Sequence, residues 1–390
     1  MAATILGCGP ATAMDAAVNA ADVRTDVTPG IDSIDARTDA ANDVAIDVPP
    51  DTPMPRSPFL FVSGSSGDIS VFTIDAPSGV LTSRSTTSPG GNPSFLARSP
   101  DGRVVVAAAE GTSQIVSFAT APDGGMLREI SRVDSAGAGP AHVAIDATGR
   151  WALAANYGGG TIGSWPIASD GSLGAVADRE SPGMNPHEMV FDPSNHFVFV
   201  PCLGSDRVAQ FVFDASNGHL TANATPSVAT ASGAGPRHLA FAPTGDHAYL
   251  INELDSTMTA MRFDSANGTL TPIHTVSTLP ASFTGTNSCA EVRVHPNGRF
   301  VYGSNRGHDS IVVFARDAST GRLTLVVHQS TAGQRPRHFD IDPTGAWLFV
   351  ANQSSDNVVT FAIDASTGRL SQRAMTSVPA GPSFAGVFAL

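Results

Sequence analysis

Five short stretches between residues 185 and 338 carry side chains suited to proton transfer or anion binding. They are Asn185-Pro186-His187-Glu188, Gly235-Pro236-Arg237-His238, Asn252-Glu253, Asn305-Arg306-Gly307-His308 and Pro336-Arg337-His338. A carboxylate or imidazole can take a proton from water and return it to a leaving group. A guanidinium can stabilise an oxyanion, or clasp a phosphate or carboxylate through two parallel hydrogen bonds. All 22 basic residues are arginine, which excludes Schiff-base lysine chemistry and a Walker-type phosphate loop. No His/Asp spacing marks a metal site, and no cofactor is expected. The net charge of −13 does not suit nucleic acid, which needs a basic face. Three cysteines, Cys8, Cys202 and Cys289, are too few and too scattered for a disulfide framework or a zinc site. No stretch is apolar for long enough to span a bilayer.

The elements that must position these groups follow from a repeat. A turn of the type Asp-x-x-x-Gly-x-Leu, with minor variants, ends at Leu81, Leu127, Leu173, Leu220, Leu270, Leu323 and Leu370, in steps of 46 to 53 residues. A second tight turn precedes each later copy, as in Asp192-Pro193-Ser194-Asn195 and Asp342-Pro343-Thr344-Gly345. Short β-branched and aromatic runs lie between the turns, among them Phe197-Val198-Phe199-Val200 and Ile311-Val312-Val313-Phe314; by length and content these are strands. The unit from Pro236 reads as strands near His238–Phe241, His247–Ile251, Thr257–Phe263 and Leu270–Val276. Four antiparallel strands at this period make a propeller blade, and seven units fill residues 58–390. The fold is therefore predicted to be an all-β, seven-bladed propeller. Its C-terminal Pro382-Ser383-Phe384 matches the strand-1 start Pro93-Ser94-Phe95, so the two chain ends should share one blade and close the ring.

In a propeller strand 1 is innermost and strand 2 runs antiparallel to it. The start of strand 1 and the end of strand 2 thus meet at one mouth of the central channel. That geometry brings Pro140-Ala141-His142, His187-Glu188, Arg237-His238, Cys289-Ala290-Glu291-Val292-Arg293 and Arg337-His338 towards Asn156-Tyr157, Pro201-Cys202, Asn252-Glu253, Arg306-Gly307-His308 and Asn352-Gln353. His142, His238 and His338 share one slot of the repeat, where a structural and a functional role are both open. The Asn that ends each strand 2 suits a structural role. The irregular members point to function: Glu253 stands where Tyr157 and Gln353 stand in other blades, Arg306 is alone in its slot, and Arg237 and Arg337 occupy a slot that elsewhere holds Ser94, Ala141 or His187.

These stretches, together with Ser304-Asn305-Arg306-Gly307-His308-Asp309-Ser310-Ile311, resemble the propeller-type lactonase family across residues 58–390. That family includes bacterial 6-phosphogluconolactonases and fungal carboxy-muconate cycloisomerases. The resemblance implies that His187, Arg237, Glu253 and Arg306 are the pocket residues of catalysis. One departure is Cys202, which stands where the family usually has Asp before Leu-Gly. The expected reaction is hydrolysis of a small anionic lactone, 6-phosphogluconolactone first, by a monomer. Glu253 is the first candidate base and His187 the second, Arg306 would stabilise the oxyanion, and Arg237, Arg337, His238, His338 and His308 would contact substrate. Two alternatives are a lactonising cycloisomerase and a non-catalytic envelope propeller that binds a ligand or partner.

Residues 1–57 differ in kind. They hold nine Asp and three Arg and almost no aromatics, so too little apolar surface is available to offset the entropy of ordering, and disorder is expected. Ile5-Leu6-Gly7-Cys8 resembles the end of a bacterial lipoprotein signal, which makes Cys8 the expected lipid anchor and the acidic segment its tether, with a cytoplasmic chain as the alternative.

Overall fold

The computed structural model describes residues 58–121 and 123–389. The acidic segment and Cys8 lie outside the described residues. Among the described residues, 28 strands form seven four-stranded antiparallel sheets, with helix limited to the 3-10 turns Glu110–Thr112 and Leu203–Ser205. The unit from Pro236 runs β16 (Pro236–Phe241), β17 (His247–Asn252), β18 (Thr257–Asp264) and β19 (Thr269–Ser277), each within two residues of the expected bounds. The other innermost strands are β4 (Pro93–Arg98), β8 (Pro140–Ile145), β12 (Val190–Phe191), β20 (Ser288–Val294), β24 (Pro336–Ile341) and β28 (Pro382–Ala389).

Strand β28 pairs with β1 (Pro58–Gly64) from Pro58↔Ala389 to Gly64↔Pro382, so the last strand of the chain is the inner strand of the first blade. The pairing joins the two ends of the domain and leaves no open edge between first and last blade.

The blades pack through apolar faces, and the repeated Gly-x-Leu turn locks them. Each turn glycine takes a left-handed φ, as at Gly218 (φ +80°) and Gly79 (φ +70°). A Cβ at Gly218 would lie 2.4 Å from the Trp151 ring of the preceding blade, whose indole N–H donates to Ala215 O at 3.0 Å. Gly79 meets Trp347 in the same way, and Trp347 Nε1 donates to Ala76 O at 2.9 Å. Glycine is required twice over, by φ and by the ring pressed against it. Gly218→Ala is expected to cost about 1–3 kcal/mol through backbone strain and overpacking. Urea unfolding monitored by Trp fluorescence measures it, and a loss below about 0.5 kcal/mol would contradict this packing.

The Asn that ends strand 2 ties its blade to the connection arriving from the preceding blade. Asn156 Nδ2 donates to Ser135 O at 2.7 Å, Asn305 Nδ2 to Thr278 O at 2.9 Å and Asn352 Nδ2 to Thr331 O at 3.2 Å. Strand-1 starts and strand-2 ends lie at one mouth, as expected: Glu253 N donates to Gly235 O at 2.7 Å and Gln353 N to Arg335 O at 3.0 Å.

Candidate active site

A β-bulge at the start of the inner strands sorts the site into two layers. Pro236 pairs with Asn252 and His238 with Ile251, so Arg237 is an extra residue; Pro140/His142, Pro336/His338 and Pro93/Phe95 show the same shift. A bulge breaks the alternation of a strand and re-aims the extra side chain. The re-aimed residues Ser94, Ala141, His187, Arg237, Arg337 and Ser383 line a small cavity at the mouth, whose floor is formed by Phe95, His238 and His338. The residues that follow them, namely Phe95, His142, Glu188, His238, Glu291, His338 and Phe384, form a buried second layer across the channel.

The mouth is an arginine cluster around one carboxylate. Glu253 Oε2 lies 2.9 Å from Arg237 Nε and 2.9 Å from Arg306 Nη2. Both guanidinium groups are anchored on the start of β20: Arg237 Nη1 donates to Ala290 O at 2.6 Å and Arg306 Nη2 to Cys289 O at 2.7 Å. Donor capacity remains unspent. Arg306 Nε is buried with no hydrogen-bond partner, and Arg237 Nε, although close to Glu253, is not aligned with an acceptor. Arg337 has no hydrogen-bond or ion-pair partner among the described residues. Burial first, and then repulsion from Arg237, lowers Arg306 to about 10, while burial lowers Arg237 and Arg337. All three stay charged at neutral pH, so the cluster of three cations and one anion favours an incoming anion.

His187 sits beside this cluster. Burial, and then the Arg237 charge, holds its imidazole well below the ordinary histidine range, so the ring is neutral. Its Nδ1 is 3.2 Å from His238 Nε2. Tyr157 lies edge-on to it at 5.5 Å, and burial raises the phenol pKa, so Tyr157 remains a hydrogen-bond donor at the mouth.

The second layer plugs the channel. Phe95 contacts the rings of His142, His238, His338 and Phe384 at 4.0, 6.0, 5.3 and 4.8 Å, reaching across the axis. Glu291 Oε2 lies 2.9 Å from His238 Nδ1 and 3.2 Å from His338 Nε2, and its Oε1 pairs with Arg293. Arg293 Nε also reaches Asp340 Oδ1 at 3.3 Å. Glu188 Oε2 accepts from Leu239 N at 2.6 Å; burial and then Glu291 push the Glu188 carboxyl up.

The structure therefore brings His187, Arg237, Glu253, Arg306 and Arg337 together, with His238 and His338 at the floor of the same cavity and His308 outside it. His238 and His338 also line the cavity but lie deeper: their side chains are 2% exposed, and His238 Nε2 faces His187 Nδ1. His338 Nδ1 is 2.9 Å from Ala385 O, and its Nε2 is 3.1 Å from Arg293 Nη2. His308 lies outside this cavity lining. Gly307 (φ +138°) turns the chain outward, and the His308 ring packs on Phe283 at 5.0 Å and His328 at 5.7 Å, with Nδ1 2.7 Å from Ser310 Oγ. Cys202 is wholly buried in the apolar core, where desolvation pushes its thiol up to about 12. Tyr157, Glu291 and Arg293 were not singled out from sequence. Tyr157 reads as an ordinary slot occupant, and Glu291 gains its meaning only from pairing across blades. Among the described residues no group of three or more His, Cys, Asp or Glu side chains is arranged to hold a metal ion.

Burying neutral imidazoles makes stability depend on pH. His142 and His338 are lowered to about 3, mainly by burial, and His187 and His238 lie well below 6.5 for the same reason. Below pH 6.5 the unfolded chain binds protons that the folded chain refuses, so stability present above 6.5 is lost as pH falls towards about 3. Each imidazole contributes up to about 1.4 kcal/mol per pH unit in that window. Glu188 and Asp340, both raised chiefly by burial, act in the opposite sense and offset part of the loss. The expected result is a Tm that falls steadily from pH 6.5 to 4.5; a flat Tm there would contradict neutral, buried histidines.

Comparison with known proteins follows the same lines. The family described as Lactonase, 7-bladed beta-propeller matches residues 60–384. The 6-phosphogluconolactonase of Serratia proteamaculans (strain 568) is 38% identical over 157 residues, which is 40% of this chain and 47% of that protein. The 6-phosphogluconolactonase of Yersinia pestis (strain Pestoides F) is 37% identical over 157 residues, 40% of this chain and 46% of its own. The chain thus spans about half the length of the curated relatives it matches. Among solved structures, the periplasmic gluconolactonase PpgL of Pseudomonas aeruginosa superposes with a TM-score of 0.79 at 29% identity, covering 85% of this chain and 99% of that one.

Proposed function

Since the chain belongs to the seven-bladed β-propeller lactonase family, we propose that its channel mouth hydrolyses a small anionic sugar lactone, with 6-phosphogluconolactone as the leading substrate. The observation that carries this reading is the cluster of Arg237, Arg306 and Arg337 around the single carboxylate of Glu253, with guanidinium donors left unspent. The names of the relatives at 37–38% identity and of PpgL support lactone hydrolysis over cycloisomerisation or a purely binding role.

In this reading His187 is the base. Glu253 was the first candidate from sequence, but its Oε2 is engaged by two guanidinium groups, whereas His187 Nε2 has no hydrogen-bond partner among the described residues at the cavity it lines. A water gives a proton to His187 Nε2 as its oxygen attacks the lactone carbonyl carbon. The carbonyl oxygen gains negative charge, which Arg306 and Arg237 stabilise, with the Tyr157 hydroxyl as a neutral donor. The ring C–O bond then breaks, and the departing alkoxide takes the proton back from His187. Lactone and water become the hydroxy acid, and the protein is unchanged. Glu253 holds Arg237 and Arg306 in place, and Arg337 takes the remote phosphate.

The test compares two freshly prepared lactones on the wild-type protein. kcat/KM for 6-phosphogluconolactone is expected to exceed that for neutral glucono-δ-lactone by about 30-fold or more, the worth of one charge-assisted pair. Equal rates would remove the role given to the arginines, and no turnover of either would remove the hydrolase.

A further inference from the structure

The base proposed above is held by a chain of buried groups that the reaction scheme does not use. Glu291 Oε2 is 2.9 Å from His238 Nδ1, and His238 Nε2 is 3.2 Å from His187 Nδ1. The protons on this chain can be assigned by elimination. A carboxylate oxygen only accepts, so His238 Nδ1 carries its hydrogen. Burial keeps His238 neutral, so its Nε2 is a bare acceptor, and the hydrogen between the rings sits on His187 Nδ1. His187 Nε2 is then a bare lone pair at the mouth, the tautomer a base requires.

We infer that Glu291 and His238 form a buried relay that fixes the tautomer of His187 and carries part of the positive charge it acquires when it takes a proton. The inference rests on His187 being the base. As His187 Nε2 gains a proton, its Nδ1–H can pass to His238 Nε2, leaving the imidazolium against the Glu291 carboxylate; the return transfer restores the resting state. The relay meets a real need. Burial disfavours the cationic form of His187, and the facing charges of Arg237, Arg337 and Arg306 add to this. Glu291 is the opposing charge. It has no exposed side-chain surface, and it is held from its other sides by Arg293, by Val292 N at 3.0 Å and by His338, with the Glu188 carboxylate nearby. The apolar Phe95 ring against His238 keeps water out of the relay. Glu291 and His238 touch no substrate in this scheme and are positioning residues.

The wild-type protein allows a direct test. With 15N-labelled histidine, NMR is expected to show His187 protonated at Nδ1 and bare at Nε2, with His238 likewise protonated at Nδ1. The opposite tautomer at His187 would overturn the relay. Glu291→Gln and His238→Gln, assayed on 6-phosphogluconolactone, are expected to lower kcat by about 10²-fold or more while KM stays within about twofold. In Glu291→Gln the acid limb of the kcat profile is expected to move to lower pH, because the imidazolium loses its counter-charge; Glu291→Asp should keep the limb in place. A merely structural role would lower stability without moving that limb. His187→Gln separates the two claims. If it abolishes turnover while Glu291→Gln and His238→Gln keep kcat within about threefold, the relay falls and the base stands. If His187→Gln keeps wild-type turnover, the base assignment itself falls. Should Glu291→Gln fail to fold, the tautomer seen in the wild-type spectrum decides.

Discussion

His187→Gln is expected to lower kcat on 6-phosphogluconolactone by about 10²- to 10⁴-fold, the range that a positioned general base supplies. KM should change little, because the substrate's charge is held by arginines. Glutamine matches the imidazole in size and can still meet His238, so the inner wall of the cavity is kept. Far-UV circular dichroism and Tm should stay close to wild type. What is removed is a neutral nitrogen lone pair at the mouth, beside the guanidinium groups that would receive the oxyanion. Steady-state kinetics on freshly prepared lactone, corrected for its spontaneous hydrolysis, reads the effect. A loss of less than about threefold would move the base to Glu253, the one carboxylate among the described residues paired with the arginines of the mouth.

The second large effect is expected at Arg337. Its guanidinium has no hydrogen-bond or ion-pair partner among the described residues, and it is kept cationic near Arg306 despite burial. A side chain held at such a cost without a protein partner suits an anion from outside. A charge-assisted bidentate pair is worth about 2–3 kcal/mol. Arg337→Ala should therefore raise KM for the phosphorylated lactone about 30- to 150-fold and leave kcat near wild type. On neutral glucono-δ-lactone the same change should have almost no effect. Equal losses on both substrates would show that Arg337 acts on the reacting centre rather than on the remote charge.

The fold was legible because each blade carries its own punctuation. The turn glycines have a left-handed φ and, in most blades, an aromatic ring against them, so they recur, and with them the leucine that follows. The composition of the site was legible for the converse reason. Arg237, Glu253, Arg306 and Arg337 break a repeat that has no structural use for charge at those slots. Depth was not legible. Arg237 and His238 are adjacent in the chain, yet the bulge sends the first to the mouth and the second into the plug, and nothing in residue type announces a one-residue shift. His187 and His142 illustrate the same point. His187 occupies the re-aimed position of its blade and lines the mouth, while His142 stands one position later and stacks on Phe95 at 4.0 Å. His308 lies past the turn at Gly307, with its ring on Phe283 and His328. Glu291 could not be read as a partner of His238 without knowing which blades adjoin, since 53 residues separate them.

The central claim is that lactone chemistry takes place where the arginine cluster meets His187. A crystal structure with the product 6-phosphogluconate tests it most directly. The account predicts the product carboxylate hydrogen-bonded to Arg306 and Arg237, one of its oxygens within reach of His187 Nε2, and the phosphate on Arg337. Product bound on the opposite face, for instance in the groove of about 810 Å³ lined by Arg103, Thr120 and Arg150, with the mouth left empty, would contradict it.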